Sequence, residues 1–94
     1  MFILLNKCYG KFGLSDEFLD EYPEYKDKGK WNRNSFRTNE ELIERVKYFG
    51  LHRAGGNDSN LSIVSIPDDV NWAKNEYGGY EYVEYVKDNK VFDA

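Results

Sequence analysis

Apolar and polar positions alternate along this chain in a way that predicts a short succession of elements. Phe2-Ile3-Leu4-Leu5 is a continuous apolar run that stops at Asn6 and Lys7. A run this short, with no alternation, predicts a strand over 2–8 that is buried on both faces. It is far too short for a membrane span or a signal-peptide core. Ser15 stands at a helix N-cap position, with Asp16 and Glu17 in the first turn. Leu14 and Leu19 have the spacing of a hydrophobic staple. Pro23 ends that helix near Glu21 or Tyr22, because the residue before proline is pushed out of the α region.

A second helix is predicted from Leu42, Ile43, Val46 and Phe49, which fall on one helical face. Thr38-Asn39-Glu40-Glu41 reads as its capping box and Gly50 as its terminator. Residues 24–37 show no period and are expected to form a long polar loop. Residues 54–60 read as a flexible connector. Leu61 to Ile66 is apolar on both alternating sets, which predicts a central strand ended by Pro67. Val70–Tyr77 and Tyr80–Val86 flank Gly78-Gly79 and predict a hairpin. Its second strand should place Glu81, Val83 and Tyr85 on one side and Tyr80, Tyr82 and Glu84 on the other. The order is strand, helix, helix, strand, hairpin. It implies one α+β domain over 1–94, a small, mostly antiparallel sheet with two helices on one face.

Composition sharpens this picture in two ways. Aromatics make up 17% of the 94 residues, with eight tyrosines. They supply core volume, and some are expected at the surface as partner contacts. The net charge of −4 is not that of a chain built to coat nucleic acid. The charge is also divided. Lys26, Lys28, Lys30, Arg33 and Arg37 against Asp27 make residues 26–37 basic, whereas 68–94 are acidic. Cys8 is the only cysteine, so no internal disulfide forms, and a reducing compartment, the cytoplasm, is the expected location.

Two stretches carry candidate binding chemistry. Tyr9-Gly10-Lys11-Phe12-Gly13-Leu14-Ser15 has the outline of a phosphate cradle: strand, Gly-x-x-Gly, then a helix N-terminus. Its candidate ligand residues are Lys7, Tyr9, Gly10, Lys11, Gly13 and Ser15, and a nucleotide is the ligand they would hold. It matches neither the dinucleotide fingerprint nor the P-loop. The preferred reading is a tight turn whose glycines permit positive φ, with Ser15 acting as a cap. The second stretch is the basic, aromatic segment around Trp31, taken with the tyrosine-rich hairpin. Candidate partner contacts there are Trp31, Arg33, Arg37, Tyr77, Tyr80, Glu81, Tyr82 and Glu84. His52 and Cys8 make no recognisable dyad or zinc set. The carboxylates offer no distinguishable acid–base pair. Neither catalysis, a metal nor a cofactor is therefore expected, and no membrane partner. An exposed hairpin edge would let a second copy pair, giving a homo-oligomer.

Asn6-Lys7-Cys8-Tyr9-Gly10 followed by Phe12-Gly13-Leu14-Ser15 resembles the opening of a family of short proteins encoded mainly by phages. Later landmarks are similar too: Arg37, Leu42-Ile43, Gly50, Ala54-Gly55, Ile63-Val64, Ile66-Pro67-Asp68-Asp69-Val70, Trp72, Glu76-Tyr77, Gly79, Glu81 and Val83. Lys11 stands where that family has a further glycine, and Lys87 to Phe92 replaces its basic-aromatic ending. The resemblance implies a phage source, a host-cell setting and a shared fold, and no particular chemistry. With the rest it suggests an accessory protein that binds and inhibits a host protein such as a bacterial defence component. The alternative is a protein that sequesters a nucleotide signal on the glycine loop.

Overall fold

The structure, a computed structural model, describes residues 1–94. The apolar run forms strand β1 (Phe2–Asn6). The first helix, α1 (Asp16–Glu21), starts where Ser15 Oγ accepts the Phe18 N–H at 3.1 Å and ends at Tyr22 before Pro23. Residues 24–37 do not remain an irregular loop. They fold into two 3₁₀ turns (Pro23–Tyr25 and Lys28–Lys30) and the one-turn helix α2 (Asn34–Arg37). Helix α3 (Glu40–Phe49) buries Leu42, Ile43 and Val46. Its cap is Asn39, whose Oδ1 accepts the Leu42 N–H at 2.9 Å. Thr38, expected to open the capping box, donates to the Asn34 carbonyl and closes α2 instead. Gly50, at φ +104°, turns the chain into a short α4 (Leu51–Ala54).

Strand β2 (Leu61–Ser65) pairs antiparallel with β1 alone, Leu4 opposite Ile63, and so is not the central strand its pattern suggests. Strands β3 (Asn71–Tyr77), β4 (Tyr80–Lys87) and β5 (Lys90–Asp93) form a second antiparallel sheet in that order. Gly78-Gly79 makes the first turn as expected. Asp88 and Asn89, both at positive φ, make the second, a conformation these two residue types tolerate well. The protein is thus an α+β domain with two small antiparallel sheets where one was anticipated. None of its helices is long and apolar enough to cross a membrane.

The continuous apolar run in β1 now has a physical reason. Leu4 faces the helices, in a core with Phe12, Phe18, Trp31, Leu42 and Val46. Ile3 and Leu5 face the other way, onto Ile66 and Val83. The β1–β2 pair is the middle of three layers, helices on one side and the β3–β5 sheet on the other. Both faces of β1 are therefore dry, and a polar alternation would place unpaired groups in one core or the other.

Candidate functional site

The glycine loop is a structural joint. The Lys11 N–H donates to Asp58 O at 3.0 Å, Ser15 N–H to Ala54 O at 2.7 Å, and Gly56 N–H to Gly13 O at 2.9 Å. Segment 54–60, expected to be a flexible connector, is thereby zipped to the loop. Neither Gly10 nor Gly13 has a positive φ. Gly10 is required for close approach: a Cβ there would lie 2.0 Å from Asp58 O. The N–H groups of Gly10, Lys11 and Ser15 are all spent on main-chain carbonyls, and α1 has only six residues. A phosphate would find few free donors along this loop. Lys11 and Gly13 line a separate groove of about 450 Å³, where Lys28 is offset by Asp58 and Glu76.

The expected partner contacts divide into buried and exposed sets. Trp31 is 8% exposed. Its indole N–H donates to Tyr25 O at 2.7 Å, and its ring meets Phe12 edge to face. The short turns of 23–30 fold this ring back onto the core, so it is no surface contact. Arg37 and Glu81 are also withdrawn, at 0% and 3% exposure. Arg37 Nη1 and Nη2 donate to the two Glu81 oxygens at 2.6 and 2.9 Å. The same guanidinium donates to the carbonyls of Leu4 and Trp31 and to Asn32 Oδ1, and it lies 3.5 Å from the Phe12 ring centroid. The Asn6 N–H donates to Glu81 at 2.7 Å. Burial pushes the Glu81 pKa up, but bonds from Arg37 and Asn6 and the charges of Arg37 and Lys74 outweigh it and hold the carboxyl below its ordinary range. These two residues tie α2, β1 and β4 together and are unavailable to a partner. Arg33 is exposed and stands at the N-cap position of α2, where its side chain makes no capping bond.

The remaining candidates converge. Residues outward on the hairpin, Tyr77, Tyr80, Tyr82 and Glu84, line a cleft of about 490 Å³ together with Lys7 and Tyr9 from the end of β1. Tyr9 and Tyr77 are 78% and 74% exposed. The Tyr9 and Tyr80 ring centroids are 5.8 Å apart. Lys7 Nζ lies 4.9 Å from the Tyr80 centroid and donates to Ala94 O at 3.2 Å. Partial burial lowers the Lys7 pKa, with the charges of Glu81 and Asp93 opposing. Asp93 and Ala94 complete the rim. Neither was anticipated. The signal for them was Asp88-Asn89, a pair tolerant of left-handed conformations between Val86 and Val91, which marks a second hairpin. Two residues read as ligand contacts and four read as partner contacts therefore form one surface.

His52 is exposed, and Cys8 Sγ is 3.3 Å from both Asn6 Oδ1 and Asp58 O. No group of three or more His, Cys, Asp or Glu side chains could hold a metal ion. No protein-family profile, curated protein or solved structure matches the chain.

Proposed function

We propose that this chain is a binding protein that docks a partner protein on the tyrosine-lined cleft. In the phage setting that the opening motif suggests, the partner is a host protein, such as a defence component, and docking inhibits it. The observation that supports this reading is the gathering of Tyr9, Tyr77, Tyr80 and Tyr82 from two distant segments around one open cleft. Tyrosines left at a surface give large, rigid contact area with a polar tip, and they are enriched at the energetic centres of interfaces. The test is capture from host lysate by the tagged protein. One stoichiometric partner is expected, lost with the Tyr77→Ala/Tyr80→Ala pair and kept with Arg33→Ala. Recovery of no partner, or equal recovery by both variants, would refute the reading.

Nucleotide sequestration is the second reading, favoured by an ammonium beside exposed ring faces in the same cleft. Two carboxylates on that rim, Glu84 and Asp93, oppose a phosphate. A thermal-shift panel of nucleotides separates the two readings. A ligand present at about 100 times its Kd stabilises a protein by roughly 2.7 kcal/mol, a readily visible shift.

A further inference from the structure

The cleft already holds a cation. The Lys7 ammonium lies against the Tyr80 face and the Ala94 main-chain oxygen, and the Asp93 carboxylate lines the same cleft. Glu84 borders the same space, with one oxygen taken by Asn75 Nδ2 at 2.8 Å. Without Lys7 the lining is ring faces, a main-chain oxygen and two carboxylates. That set attracts a cation and repels an anion.

The same protein shows, in its interior, what such a set accepts. Arg37 rests on the Phe12 ring, pairs with both Glu81 oxygens and donates to a main-chain carbonyl. Ring face, carboxylate and carbonyl are also the three components of the open cleft.

We infer that the cleft receives an arginine side chain of the docked partner, and that Lys7 occupies its place in the free protein. The inference rests on reading the cleft as the docking surface. Arginine fits better than lysine because its planar, weakly hydrated guanidinium stacks on a ring while its edge pairs with a carboxylate. Lys7 can withdraw on its flexible stem and keep its charge in water. Residues 68–94 are acidic overall, and they would draw a basic partner surface toward the cleft.

The experiment is a titration of ¹⁵N-labelled protein with N-acetyl-arginine amide at low salt, alongside AMP. Shifts centred on Tyr80, Tyr82, Glu84 and Asp93 are expected with the arginine probe. Lys7→Gln should tighten its binding by about 2- to 5-fold, the size of one relieved exposed cation–π contact. The Glu84→Gln/Asp93→Asn pair should weaken it. Lys7→Met, which keeps the aliphatic stem, serves if the glutamine variant does not fold. Weaker arginine binding in the Lys7 variants, no cleft shifts with arginine, or AMP binding there instead would each overturn the inference. If arginine binds as described but no partner is captured, the docking reading falls and the cation site stands. If a partner is captured and its affinity ignores Lys7, Glu84 and Asp93, the inference falls alone.

Discussion

Two clusters in this molecule are built from the same parts, an aromatic face, a carboxylate and a cation, and they differ in whether water reaches them. The interior cluster of Phe12, Glu81 and Arg37 is sealed between α2, β1 and β4, and every polar group in it has a partner. The surface cluster of Tyr80, Asp93 and Lys7 opens to solvent beside exposed Tyr9 and Tyr77. In the first, desolvation makes every interaction strong and every missing partner costly, so the residues are committed to the fold. In the second the ring faces stay hydrated and add little to folding, so they remain available for a partner. Residue type alone does not tell a binding site from a structural clasp; burial does.

The clasp predicts the largest effects. Glu81→Ala or Arg37→Ala strands a buried charge and should cost about 3–5 kcal/mol. A domain of this size has only about 5–14 kcal/mol in total. Urea melts measure this directly, and a loss under about 1 kcal/mol would remove the distinction between the clusters. Arg37→Met combined with Glu81→Leu should recover part of the loss, because neither member of the pair is left buried without the other, although Lys74 and the Asn6 N–H lose an acceptor.

Next comes the joint that brings the cleft's two halves together. Gly79 has φ +88°, and a Cβ there would lie 1.6 Å from Gly10 O. Gly79→Ala should cost about 1–3 kcal/mol from backbone strain, plus whatever the overlap forces apart. It should also spoil the cleft by separating the Lys7-Tyr9 segment from the hairpin. Gly78→Asn should be milder. Asparagine tolerates φ +59°, and the nearest atom to a new Cβ is a Tyr9 side-chain carbon at 3.3 Å. Thermal melts of the two variants should rank accordingly.

Acid should weaken the clasp. The Glu81 pKa is lower in the folded protein than in the unfolded chain. Its contribution is therefore complete above the ordinary glutamate range and is lost as pH falls through the depressed folded value. Wild type should lose stability on acidification faster than Glu81→Gln does, so the gap between them narrows. A gap that widened in acid would mean that folding raises the Glu81 pKa instead of lowering it.

Local pattern made some of this legible and hid the rest. Helix α3 was readable because Leu42, Ile43 and Val46 repeat at helical spacing; its cap is Asn39 and not Thr38, whose hydroxyl bonds within α2. The two faces of the hairpin were readable from period-two alternation, but not which of them turns inward: Glu81, expected at a partner surface, is buried. Segment 24–37 was not, because its turns span three or four residues and owe their order to contacts such as the Trp31 indole on Tyr25 O. The pairing of Arg37 with Glu81 spans 44 positions, and no local pattern announces that two charges will be buried together. The cleft was half legible. Its tyrosines and Lys7 were named, but from separate motifs; long-range contacts unite them, the Gly10–Gly79 approach and the Asn6 bonds to Gly79 O and Glu81 among them.

The smallest stability effect belongs to Tyr9. Its ring is mostly in water, touching Tyr80 and the Gly78 turn. Tyr9→Ser removes one aromatic pair, so the loss should stay near or below about 1 kcal/mol. A structural tyrosine in this position would cost several times more on truncation. If the cleft is a docking surface, the same substitution should weaken partner binding by about tenfold or more, since central aromatic anchors cost over 1–2 kcal/mol when truncated. A near-silent melt with a large loss of affinity is therefore the signature of the open cluster. The clasp, placed outside the docking surface, should show the reverse: a large loss of stability and, in any Arg37→Met/Glu81→Leu protein that still folds, undiminished affinity.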